Sequence, residues 1–84
     1  MVGSVIVVFK IIPEDMEHFE AVKSAVESFG PKRVEKEPIG FGIEAVKATF
    51  LVPEEDGKMD ELEDQLNAIE HVGGVEVVHM SRSL

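Results

Sequence analysis

The sequence predicts an α+β fold, a two-layer ferredoxin-like sandwich in which two helices cover one face of a four-stranded antiparallel sheet. Two observations lead to this prediction. Segments with strand-like apolar patterns alternate with two segments of helical period, in the order β-α-β-β-α-β. The chain has 84 residues and no cysteine, which suits one small domain over residues 1–84 that is held together by burial. Two right-handed crossovers then place both helices on the same side of the sheet.

The first half of the chain supplies a strand, a helix and a second strand. Residues Val5–Ile12 are almost all apolar and rich in β-branched types, which is typical of a central strand. Asp15 is placed to cap a helix over Met16–Phe29, where apolar side chains recur at helical spacing until Gly30–Pro31 ends it. Residues Lys32–Glu37 carry charges on both faces, which predicts an edge strand.

The second half repeats the strand and helix signals. Residues Ala45–Val52 alternate with a period of two, which predicts a second central strand that ends at Pro53. A polar connection leads to a helix over Met59–Ile69, with acidic residues near its N-terminus. Gly73–Gly74 are expected to separate this helix from a last strand over Val75–Met80.

The stretch 37–43 is predicted to be a loop that holds one large aromatic on a shaped backbone. Phe41 stands between Gly40 and Gly42, and Pro38 comes three residues before it. Proline fixes its own φ, and the glycines relieve steric limits on both sides of the aromatic. Two interpretations are open at this point: the loop presents Phe41 to a partner, or the ring folds back over the core.

Composition excludes some functions. The net charge is −9 and only 8 residues are Lys or Arg, so direct binding to nucleic acid is not expected. The acidity either keeps the chain in solution or steers it toward a basic protein partner, and the sequence does not separate the two. The apolar runs are too short for a membrane span and no signal peptide is evident. We therefore expect a cytoplasmic protein.

Residue types that carry catalysis or bind ligands do not form recognisable sites. The three histidines have no pair at i,i+4, so no metal site is expected. The carboxylates lie in solvated segments, and the serines have no partner base. The glycine pair at 40 and 42 is not followed by the Gly-Lys-Ser/Thr of a phosphate loop. The sequence therefore predicts no cofactor, no tightly bound small molecule and no covalent catalysis.

Several stretches together carry a resemblance to a known family. They are the opening strand Ser4–Val8 with Lys10, the acidic turn after Pro13, the sequence Pro38–Ile43, the acidic run before the second helix and the ending Val75–Arg82. Over essentially its whole length, the chain resembles the exchange-domain family of translation elongation factor 1-beta, in particular its archaeal members.

This resemblance implies a guanine nucleotide exchange factor for elongation factor 1-alpha, the GTPase that carries aminoacyl-tRNA to the ribosome. In the family, a loop aromatic and a basic side chain near the C-terminus engage the GTPase, and the matching residues are Phe41 and Arg82. The implied partner-binding residues are Pro38, Ile39, Gly40, Phe41, Gly42, Ser81 and Arg82. Eukaryotic members usually have lysine where this chain has Arg82. From the fold alone, a small-molecule-sensing regulatory domain remains the alternative function.

Overall fold

The computed structural model describes residues 3–83. Their strands form one sheet of order β2-β3-β1-β4, in which all neighbouring strands are antiparallel. The elements in chain order are β1 (Ser4–Pro13), a short 3-10 helix (Met16–His18), α1 (Phe19–Glu27), β2 (Arg33–Gly40), β3 (Ile43–Pro53), α2 (Lys58–Asn67) and β4 (Val72–Ser83). The predicted ferredoxin-like architecture is confirmed, with β1 and β3 as the central strands. No helix among residues 3–83 is long and apolar enough to cross a membrane.

The core lies between the helices and one face of the sheet. Every second residue of β1 and β3 points into it because strand side chains alternate between the two faces. Phe9 and Phe50 meet edge to face, with ring centroids 5.9 Å apart and planes at 75°. The fully buried side chains include Val7, Phe9, Ile11, Val22, Val26, Val46 and Leu66. The periodic positions that predicted the helices are therefore the positions that pack against the sheet.

The first helical segment is shorter than predicted and has two parts. Met16–His18 forms a 3-10 turn, and the α-helix runs from Phe19 only to Glu27. The predicted cap at Asp15 is confirmed, because its carboxylate accepts a hydrogen bond from the His18 backbone N–H at 3.0 Å. Phe29 lies beyond the helix yet still packs on the core. Gly30, at a φ of 75°, turns the chain away from the helix axis.

The prediction of a loop from residue 37 is wrong for its first half. β2 continues through Pro38 and Ile39 to Gly40, and β3 begins at Ile43. Proline is tolerated there because β2 is an edge strand, where one side of the backbone makes no ladder bonds. The pairing with β3 is irregular between Pro38 and Gly40. The connection is consequently a tight hairpin turn.

The predicted role of Gly73–Gly74 as helix breakers is also wrong. Helix α2 already ends at Asn67, and both glycines lie in β4, which extends well beyond the predicted Val75–Met80. His71 makes the turn before β4 with a φ of 72°. A Cβ added at Gly73 would lie 3.5 Å from the Ile12 carbonyl oxygen. This is an ordinary van der Waals distance, so the space around Gly73 does not by itself require glycine.

Candidate partner-binding site

The hairpin between β2 and β3 presents Phe41 at its tip. Gly40 pairs with Ile43, so the turn consists of Phe41 and Gly42 alone. Their φ angles are 54° and 76°, and a type I′ turn requires positive φ at both central residues. Phe41 is fully exposed, whereas Ile39 and Ile43 on either side are about two-fifths exposed, at 36% and 40%. We call Ile39, Phe41 and Ile43 the hairpin tip.

The conformation of Phe41 argues against a structural role for its ring. A bulky residue in the left-handed region is an outlier, and such conformations cost roughly 1–3 kcal/mol. The ring buries no surface that would offset this cost, because it stands in solvent. The interpretation in which the aromatic folds back over the core is therefore wrong. In the structure the ring is exposed to solvent.

Arg82 lies at the other end of the sheet, near the end of β4. It pairs with Val5 of β1, and its Nε is 3.3 Å from Oε1 of Glu54, the residue that follows β3. The Arg82 side chain is nevertheless 79% exposed. Ser81 pairs with Ile6 and, because side chains alternate, projects to the opposite face of the sheet. Ser81 and Arg82 are thus neighbours in sequence that do not share a surface.

A cavity of about 370 Å³ opens beside Arg82, between the β1–β4 pair and the loop before α2. We call it the end cavity. Its apolar lining consists of Val5, Val7, Val52, Pro53, Met59 and Met80. Its charged lining consists of Glu54, Glu55, Asp56 and Arg82. The cavity is not visible in the sequence, since its residues come from four separate parts of the chain.

The structure does not bring Phe41 and Arg82 together. Phe41 precedes the start of β3, whereas Arg82 lies beside Val5, which in turn pairs with Val52 near the end of β3. This strand has 11 residues and separates the two side chains. At about 3.3 Å per residue the separation is roughly 35 Å. The predicted site therefore consists of two groups, the hairpin at 38–42 and the strand end at 81–82.

Sequence analysis also missed a contact between two histidines. The rings of His18 and His71 stack, with centroids 3.6 Å apart and planes at 11°. His18 Nδ1 lies 2.8 Å from Oδ1 of Asp15, and this hydrogen bond is the main cause that lowers the Asp15 pKa. The Asp15–His18 spacing was visible in the sequence, but the approach of His71 depends on the tertiary fold. Within residues 3–83, no group of three or more His, Asp or Glu is arranged to hold a metal ion.

These features define a class of protein, a small ferredoxin-like domain with an exposed aromatic at a hairpin tip and an exposed arginine near the end of an outer strand. Comparison with known proteins is consistent with this class. Residues 6–82 match the model of the EF-1 guanine nucleotide exchange domain.

Curated relatives agree with the family match. Elongation factor 1-beta of Methanoculleus marisnigri is 44% identical over 78 residues, which cover 90% of this chain and 93% of the relative. Elongation factor 1-beta of Pyrobaculum neutrophilum is 39% identical over 89 aligned residues, with 98% and 97% coverage. That of Methanosphaerula palustris is 35% identical, with 94% and 96% coverage. The chain belongs to the EF-1 guanine nucleotide exchange domain family, and its function is guanine nucleotide exchange. The small-molecule-sensing alternative is not favoured.

Proposed function

We propose that this chain promotes GDP release and GTP loading on elongation factor 1-alpha in the cytoplasm, and that it contacts the GTPase with the hairpin tip and with Arg82. The observation that carries the residue assignment is the conformation of Phe41. Its backbone has a φ of 54° and its ring is fully exposed. The turn itself requires the positive φ, but glycine and asparagine are the residues that such a turn favours. An exposed phenylalanine in this strained position supports a functional role, because strain of this kind is concentrated at functional sites.

Exchange of this kind requires no covalent chemistry from the chain. A GTPase that holds GDP with nanomolar affinity has about 12 kcal/mol of binding free energy to lose before the nucleotide leaves. A factor that binds the nucleotide-free GTPase more tightly than the loaded one weakens nucleotide binding by the same factor. Either GDP or GTP can then enter, and the cellular excess of GTP sets the direction.

Phe41 is suited to the role of a wedge. Exposed aromatics that enter a pocket on a partner are frequent hot spots, each worth about 2 kcal/mol or more. The two-residue turn holds the ring at the far end of a paired hairpin, so it projects beyond the body of the domain. A partner helix displaced by this ring would be held in the conformation that has lost its nucleotide. Pro38, Ile39, Gly40 and Gly42 shape the hairpin that presents it.

Arg82 is suited to act on the magnesium ion of the GTPase. A guanidinium near that ion disfavours it through like-charge repulsion, and loss of the metal weakens nucleotide binding. The pair with Glu54 does not prevent this role, because exposed ion pairs contribute only about 0–1 kcal/mol and open at little cost. The planar guanidinium also offers bidentate hydrogen bonds, which the ammonium of the more usual lysine does not.

Release of a fluorescent GDP analogue from purified elongation factor 1-alpha tests this proposal. The parent chain should accelerate release in proportion to its concentration. Phe41→Ala should keep the melting temperature and reduce the acceleration by an order of magnitude or more, as expected for a hot spot of about 2 kcal/mol. Unchanged exchange by Phe41→Ala would remove the ring from the mechanism. A parent chain without effect on release would refute the proposed partner.

A further inference from the structure

We propose that the end cavity is a docking site for a basic side chain, a lysine or an arginine, of the GTPase. This inference rests on the proposed function, because it assumes the same GTPase partner. It adds a third contact to the interface, next to Arg82 but chemically distinct from it. The occupant follows from three properties of the cavity: its lining, its charge and its size.

The inner lining favours an aliphatic chain. Val7 and Val52 are buried, and Met59 is half-buried beside them. Met80 is half exposed at the opening, at 50%. Methionine side chains are flexible and polarizable, so they adapt to an occupant of irregular shape. The carbon stem of a lysine or arginine can lie on such a surface while its charged end remains at the rim.

The charge of the rim selects a cation. Three carboxylates, those of Glu54, Glu55 and Asp56, stand against one guanidinium, that of Arg82. Glu54 is the carboxylate that pairs with Arg82, whereas Glu55 and Asp56 are exposed to solvent. This rim would repel an anionic group, and a purely apolar group would not interact favourably with the negative electrostatic potential of the carboxylates. The net charge of −9 favours the approach of a basic surface in the same way.

Glu54 and Arg82 form an ion pair within the lining of the end cavity. The Glu54 backbone N–H donates to the Gly3 carbonyl at 2.9 Å, and a Cβ added at Gly3 would lie 3.0 Å from Oε2 of Glu54. The Glu54 carboxylate therefore lies close to Gly3, and it pairs with Arg82. The volume of about 370 Å³ lies at the lower end of the range for small-ligand pockets, about 300–1,000 Å³, and accommodates one long side chain.

A pair of charge-neutral variants tests the proposal. Glu55→Gln/Asp56→Asn removes two rim charges and leaves the Glu54–Arg82 pair in place. Glu20→Gln/Glu27→Gln on α1 removes two exposed charges elsewhere and matches the change in net charge. Affinity for nucleotide-free elongation factor 1-alpha should fall roughly five- to tenfold for the rim variant and less than twofold for the control. Both variants should melt within a few degrees of the parent.

Salt and the apolar lining supply two further readouts. The difference between rim variant and control should shrink as ionic strength rises, because the contact is electrostatic. Met80→Ala, at a half-exposed position, should also weaken binding by roughly threefold, since it removes part of the surface under the aliphatic stem. Equal affinities for the rim and control variants would overturn the inference, and so would a rim effect that is the same at low and high salt. If the parent accelerates exchange but the rim variant binds the GTPase as tightly as the control, only this inference fails. If the parent does not accelerate exchange, the proposed function itself fails.

Discussion

Phe41 and Arg82 lie at opposite ends of the sheet, separated by the length of β3, or roughly 35 Å. Two residues this far apart cannot act on one atom of a partner. A partner that engages both must extend along the domain, whose longest dimension is 44 Å. In the proposed complex each residue would contact its own part of the GTPase, and the separation predicts how substitutions at the two positions combine.

We expect the effects of Phe41→Ala and Arg82→Ala on affinity for the nucleotide-free GTPase to be additive. Sites more than about 7–10 Å apart without shared contacts combine within about 0.5 kcal/mol. Titration calorimetry on the parent, both single variants and the double variant measures the coupling. A coupling energy above about 1 kcal/mol would show that the two contacts depend on each other through a change in the partner.

Phe41→Asn should stabilise the free domain. Asparagine tolerates the left-handed conformation that the turn requires, so the substitution relieves part of the strain of about 1 kcal/mol or more at this position. Because the ring is exposed, little packing is lost. Urea denaturation should show an increase of about 1 kcal/mol in the free energy of unfolding, together with a loss of exchange activity. Ile39→Asn is the control, because Ile39 lies in the extended strand of the same hairpin tip, and this variant should not stabilise the domain. A decrease in the free energy of unfolding for Phe41→Asn would instead show that the ring packs against the domain in solution.

Arg82→Ala should slow GDP release chiefly when magnesium is abundant. If the guanidinium disfavours the metal ion, chelation of magnesium makes its contribution redundant, and the gap between variant and parent shrinks. Arg82→Lys separates charge from geometry, since retained activity would show that charge suffices. Arg33→Ala removes another exposed arginine, one paired with Glu35 on β2, and serves as the control. A defect that is equally large with and without magnesium would keep Arg82 at the interface but defeat the metal mechanism.

Acid should remove a contribution of Asp15 to stability. The His18 hydrogen bond lowers the Asp15 pKa below its ordinary value, so the ionised carboxylate stabilises the folded state above the unfolded pKa of about 3.9. This contribution is lost as pH falls through the lower, folded pKa. Asp15→Asn keeps the capping acceptor for the His18 N–H but removes the charge. The free energy of unfolding should therefore be larger for the parent than for the variant near pH 6, and this difference should close below about pH 4. A difference that does not change with pH would contradict the proposed role of the Asp15 charge.

The sequence by itself determined the order of the elements, the two central strands and most of the core. Periods of 2 and 3.6 follow from strand and helix geometry, so burial can be read from the spacing of apolar residues such as Val22 and Val26. The Asp15 cap was predictable for the same reason, because a cap acts over three residues. Phe41 was singled out by the proline and glycines around it, whereas Arg82 and the partner-binding role of both residues came from the family resemblance.

Only the tertiary structure decided the features that depend on residues distant in the sequence. The strand ends at Gly40 and Val72 follow from pairing with a neighbour, which local propensity does not contain. The exposure and left-handed backbone of Phe41 follow from the register that forces a two-residue turn. The end cavity and the stacking of His71 on His18 arise where separate segments meet. Such contacts depend on how distant segments pack together in the folded chain, and no local pattern in the sequence specifies them.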